Sequence, residues 1–198
     1  MKILAYPLLI ITLLFSTSIF AQPKGIPMPD KTQTAYLAGG CFWGMEELVR
    51  TIPGVLETEV GYTGGNSSEA NYERVKTGET EHAESLKIVF NPQQLTYRHL
   101  LFEFFRMHNP TTRNQQGNDR GGQYRSAIFY VNEEQKHVAE EVIKTVDASG
   151  EWNAKVVTEV VLFKEFFRAE DYHQKYLIKH PHGYTCHLKR PFRLGEGK

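Results

Sequence analysis

TAYLAGGCFWGMEELVRTIPGVLETEVGYTGG, residues 34–65, holds a complete strand–helix–strand pattern. Thr34 to Ala38 predicts a short strand that runs into Gly39-Gly40. Met45, Leu48, Val49 and Ile52 then recur at the spacing of one helix face, and Pro53-Gly54 stops that helix. Leu56, Thr58, Val60 and Tyr62 alternate with Glu57 and Glu59, the period of a half-buried strand, and Gly64-Gly65-Asn66 closes the unit as a loop.

The same reading extends along the chain. Leu86 to Phe90 predicts a strand ending in a turn at Asn91-Pro92, and Tyr97, Leu100, Leu101, Phe104 and Phe105 predict a helix. Residues 108–122 are polar and contain Gly, a long loop of the kind that carries function. Ala127 to Val131 reads as a strand. Asn132 with Gln135 reads as a capping box in front of a helix striped by Val138, Ala139, Val142, Ile143 and Val146. Val156 to Phe163 predicts a strand, Asp171 to Lys179 a short helix, and the remainder an irregular tail. Interleaved strands and helices imply one sheet with helices packed on it, α/β or α+β, with no internal domain boundary.

Composition narrows the class. The chain of 198 residues carries 23 Lys and Arg against 23 Asp and Glu, which argues against a sequence-independent nucleic-acid binder. With 40% hydrophobic residues it has the material for a core, and with 2 Cys it is not a multiply stapled scaffold. Residues 1–21 have one early charge, Lys2, an apolar run from Ile3 to Phe20, and small Ala21 before polar Gln22-Pro23-Lys24. This pattern predicts a secretion signal cleaved near Ala21. The alternative is an uncleaved signal acting as a membrane anchor. Both place the rest of the chain outside the cytoplasm, in the periplasm after cleavage. Residues 22–33, with three Pro and one Gly, read as an extended linker.

Chemistry concentrates at Gly39-Gly40-Cys41-Phe42-Trp43-Gly44. Cys41 falls at a helix start, where free N–H groups and the helix dipole favour a thiolate and lower the thiol pKa. An inert cysteine in a strand-to-helix turn is the other reading. Cys186 lies in the tail, and two cysteines outside the cytoplasm also fit one structural disulfide. His180, His182, Cys186 and His187 match no standard zinc spacing, so no metal site is expected. Glu84, just before a predicted strand, is ordinarily a solvated charge and becomes a general acid only if burial raises its pKa. Tyr72, Asp119 and Tyr124 are individually ordinary surface or turn residues.

Together, GCFWG (40–44), GYTGG (61–65), NYERV (71–75), TGETEHAE (77–84), HNP (108–110), QGNDRGGQYRSAIF (116–129) and HGYTCH (182–187) resemble the methionine sulfoxide reductase A family. The resemblance implies a catalytic domain over residues 34–198. It implies an α+β two-layer sandwich with a ferredoxin-like core and a long irregular C-terminal tail. The implied activity is reduction of the S epimer of methionine sulfoxide, free or in oxidised proteins, without a cofactor. Cys41 is then the nucleophile and Glu84 the proton donor to the sulfoxide oxygen. Tyr72 and Tyr124 hydrogen-bond that oxygen. Phe42 and Trp43 receive the substrate methyl group, and Asp119 supports the network. The product sulfenic acid on Cys41 is resolved as a disulfide, which thioredoxin or a thioredoxin-like relay reduces. Many family members place the resolving cysteine directly after Gly-Tyr. Here Thr185 intervenes and Cys186 is the other cysteine of the chain, so the resemblance assigns resolution and contact with the reductant to Cys186 alone. A monomer is expected.

Overall fold

The computed structural model describes residues 31–192 and Leu194. The predicted secretion signal and most of the predicted linker lie outside the described residues. In chain order the elements are β1 (Gln33–Gly39), α1 (Phe42–Val49), β2 (Val55–Thr63), α2 (Tyr72–Val75), β3 (Ala83–Phe90), α3 (Tyr97–Met107), β4 (Gln115–Gln116), β5 (Asp119–Arg120), β6 (Ser126–Tyr130), α4 (Glu133–Ser149), β7 (Glu159–Leu162), β8 (Phe166–Arg168) and α5 (Tyr176–Lys179). Six strands form one sheet in the order β7-β6-β1-β3-β2-β8, while β4 and β5 pair as a separate hairpin. All pairings in the large sheet are antiparallel except β6 with β7. A parallel pair needs a crossover, and α4 supplies it.

Side-chain alternation divides the strands between two faces. Leu37, Leu86, Ile88, Val60, Tyr62 and Ile128 join the main core with α1, α3 and α4. Their neighbours Ala38, Ala83, Ala127 and Phe129 form a thin second cluster. That cluster is covered by Tyr36 and Phe163, whose rings stack at 3.8 Å. Half of the expected capping box forms at the start of α4, where the Asn132 side-chain oxygen Oδ1 accepts from Gln135 N–H at 2.9 Å while the Gln135 side chain turns to other partners. The Gln135 side chain accepts from Val131 N–H and donates to Thr34 O, so it ties the helix to β1.

Several sequence expectations change. β1 starts at Gln33, inside the predicted linker. Leu56 is 38% exposed rather than inward, because β2 has a register irregularity between Val55 and Glu57 that takes it out of the alternation. β3 begins at Ala83, so Glu84 lies within a strand. The strand predicted over 156–163 shortens to β7 because Val156 and Val157 give their N–H groups to Asp147 and Pro110 instead. The helix predicted over 171–179 reduces to α5. Lys175 sits at φ 54°, with its N–H on Glu46 Oε2 and its Nζ on Glu46 Oε1, each at 2.8 Å. A bond to a buried carboxylate outweighs one more turn of helix there.

Candidate active site

β1 and β3 run antiparallel with Leu37 opposite Leu86, which brings the end of β1 to the start of β3. Cys41, two residues past β1, and Glu84, second in β3, therefore meet beneath the first turn of α1. Glu84 shares the phase of Leu86 and Ile88 and so points into the helix-covered face. Gly40 makes the turn possible, since its φ of 101° is a conformation that a side chain resists.

Cys41, Phe42, Trp43, Tyr72, Glu84, Asp119, Tyr124 and Tyr184 line one cavity of about 200 Å³. All of the residues to which the family resemblance gives a role, except Cys186, are among them. Cys186 stands at its edge, where Sγ donates to Asp119 Oδ2 at 3.1 Å and the Tyr184 hydroxyl donates to Oδ1 at 2.9 Å. Both cysteines are free thiols. Residues 180–192 contain no helix or strand, yet they are tied down on both sides of Cys186. His187 donates to Gly39 O, and Arg190 donates to His108 O at 3.0 Å.

The electrostatics correct one expectation and satisfy another. Cys41 is buried, and burial together with the nearby Glu84 charge pushes its thiol up, although the Trp43 amide draws it down. The helix start does not lower this pKa, because loss of water around the anion outweighs one turn of amides. Glu84 is 3% exposed and its carboxyl is pushed up to about 8, chiefly by burial, with the Asp119 charge adding to it and the Phe42 N–H opposing. That N–H donates to Glu84 Oε2 at 3.0 Å, leaving Oε1 to carry the proton. Burial and Glu84 also raise the Tyr72 and Tyr124 hydroxyls, so both remain donors. The cavity thus sets a neutral acid and two phenols beside a buried sulfur, with aromatic rings as its walls.

Three residues escaped the sequence reading. Tyr184 lines the cavity from the tail. His173 accepts the Trp43 indole N–H at 3.0 Å, and Tyr176 stacks on Trp43 at 3.8 Å, so the two fix that wall from behind. Tyr184 lies two residues before Cys186 in the HGYTCH run. Nothing in residues 171–179 pointed to Trp43, some 130 positions away. Among the described residues no group of three or more His, Cys, Asp or Glu is placed to hold a metal.

Comparison with known proteins identifies the family. A family model described as peptide methionine sulfoxide reductase matches residues 33–195. The peptide methionine sulfoxide reductase MsrA of Streptomyces coelicolor is 56% identical over 164 residues, which are 83% of this chain and 93% of that protein. The reduced form of Mxr1 from Saccharomyces cerevisiae superposes with a TM-score of 0.78 at 38% identity, covering 82% of this chain and 94% of that one. The same yeast protein in complex with Trx2 matches with a TM-score of 0.52 at 28% identity, covering 84% and 96%. The chain belongs to the peptide methionine sulfoxide reductase A family.

Proposed function

We propose that this protein is a peptide-methionine (S)-S-oxide reductase that repairs oxidised proteins and also reduces free methionine sulfoxide. The observation that carries this reading is a carboxyl group, Glu84, kept protonated at neutral pH in the same aromatic cavity as the Cys41 thiol. A sulfoxide oxygen leaves poorly until it is protonated, so the reaction needs an acid and a sulfur nucleophile side by side. With the substrate oxygen against Glu84, Tyr72 and Tyr124, and its methyl group against Phe42 and Trp43, the substrate sulfur faces Cys41. Glu84 gives its proton to the oxygen as Cys41 attacks, and the Cys41 thiol proton restores the acid. The oxygen ends on Cys41 as a sulfenic acid, and methionine leaves. Cys186 then displaces water from that sulfenic acid to form a disulfide. Asp119, which holds Cys186 and Tyr184 at the cavity edge, keeps the resolving sulfur near by. Fixing oxygen, methyl and attack direction together admits one epimer of a chiral sulfur, and the family resemblance identifies it as S.

A thioredoxin-like dithiol is the reductant of the disulfide, supported by the yeast relative's complex with Trx2. The N-terminal pattern supports export, with cleavage near Ala21 and work in the periplasm. We also read β1-α1-β2-β3-α3-β6, with spatial strand order β6-β1-β3-β2, as a ferredoxin-like core under an irregular C-terminal tail. Incubation with racemic methionine sulfoxide and dithiothreitol, followed by chiral analysis, tests the activity. Selective loss of the S epimer is expected; loss of neither epimer, or of both equally, overturns the reading.

A further inference from the structure

Thr185, Cys186 and His187 cross the first turn of α1, and the His187 ring lies in a slot between two glycines. A Cβ on Gly40 would stand 3.1 Å from Nε2, and one on Gly44 would stand 2.7 Å from Nδ1. Nε2 lies 2.8 Å from Gly39 O, and a carbonyl only accepts, so Nε2 carries the hydrogen. Nδ1 therefore presents its lone pair, and it lies 3.5 Å from Cys186 Sγ. Burial holds the imidazole below its ordinary pKa, which keeps the ring neutral with the Nδ1 lone pair free to accept a proton. Its anchor, Gly39, is two residues from Cys41, so this nitrogen is fixed where the disulfide has to form.

We propose that His187 is the general base of the resolving step, taking the Cys186 thiol proton as that sulfur attacks the Cys41 sulfenic acid. The proposal rests on Cys186 being the resolving cysteine. The Cys186 S–H bond breaks and its proton passes to Nδ1, while a bond forms between the two sulfurs. The S–O bond of the sulfenic acid breaks, and the departing hydroxide takes the proton from Nδ1 and leaves as water. The sulfenic sulfur is reduced, the thiol sulfur is oxidised, and His187 returns to its neutral form.

Asp119 is the competing acceptor, because it holds the thiol proton in the resting site. Burial and this hydrogen bond push Cys186 up to about 12, so the carboxylate opposes the thiolate it would have to create. Once protonated, His187 faces two anions, the thiolate and Asp119. Arg190 is the opposing cation, and His108, the other titratable group near it, is held neutral by burial. Rotation of the S–H bond about Cβ–Sγ carries the proton from Asp119 to Nδ1.

His187→Gln separates the roles, since the glutamine amide can still donate to Gly39 O but has no basic nitrogen. Rapid-quench single turnovers with methionine sulfoxide and no reductant count methionine formed and thiols lost. The variant is expected to release methionine at close to the wild-type rate but to form the disulfide about 10²–10⁴-fold more slowly. Its disulfide rate should climb about tenfold per pH unit, where the wild-type rate is level above neutrality. Wild-type disulfide rates in the variant, or a slow step with the wild-type pH profile, overturn the proposal. So does a wild-type disulfide rate that itself climbs about tenfold per unit above neutrality, a result that needs no variant to fold. Failure of the wild-type protein to form methionine refutes instead the underlying reductase reading.

Discussion

Glu84 keeps its proton because burial removes the water that would solvate a carboxylate, and a single Phe42 N–H replaces only part of it. Glu84→Gln keeps the size and the hydrogen bond but has no acidic proton. First-turnover methionine formation should fall about 10²–10⁴-fold, as measured by rapid quench. The raised pKa also bears on stability. The folded state binds this proton more tightly than the unfolded chain does. The contribution is fully present below the ordinary carboxylate pKa and is lost as pH rises through about 8. The Tm of the wild-type protein should decline over that window, and Glu84→Gln should flatten the decline in calorimetric scans. The two cysteines differ in the same terms of setting. Cys41→Ser should abolish methionine formation, whereas Cys186→Ser should complete about one turnover and stall as a sulfenic acid that dimedone traps. Equal losses in the first turnover would contradict their separate roles.

At the scale of elements, α1 does two jobs: its first turn presents Cys41 and the Phe42 amide, and its glycine admits the tail. On helix propensity alone, Gly44→Ala should stabilise α1, by at most about 1 kcal/mol at this first-turn position. In this fold the new methyl group would press on Thr185 Oγ1 and on His187 Nδ1. Disulfide formation after the first turnover should therefore slow markedly while methionine release persists, seen as sulfenic acid accumulating in the quench experiment. A variant that closes its disulfide at the wild-type rate would show that the tail does not use this slot. At the opposite end of the sheet, Asn132→Ala removes the cap of α4 and should lower unfolding free energy by about 1 kcal/mol in urea titration.

For the whole molecule, the core is complete with both thiols free, so no covalent staple is needed to hold it. The reduced protein and the Cys41→Ser/Cys186→Ser double variant should unfold cooperatively well above 37 °C in thermal melts, consistent with a domain of this size. Unfolding caused by reduction alone would make the disulfide structural and remove Cys186 from the reaction. Oxidation by substrate should also break the Asp119 contacts of Tyr184 and Cys186, because a disulfide requires the sulfurs to come within about 2 Å. Residues 180–192 should then be cut faster by protease in the oxidised form than in the reduced one.

Local pattern was enough for the parts of this protein whose cause is local. The periods of α1, α3 and α4, the Asn132 cap and the strand cores of β1, β3 and β6 were legible, as was the family, since its motifs are short runs of sequence. Three-residue β8 is too short to show a period. Residues 171–175 lost their helix to a carboxylate on α1, a partner no local window contains. Cys41 illustrates the division most clearly. Sequence placed it at a helix start, and from that alone its thiol pKa should fall. Only the packed structure, which buries the sulfur beside Glu84, decides that the pKa rises. The same burial turns Glu84 from a solvated charge into an acid, because solvation depends on every neighbour in space and not on neighbours in the chain.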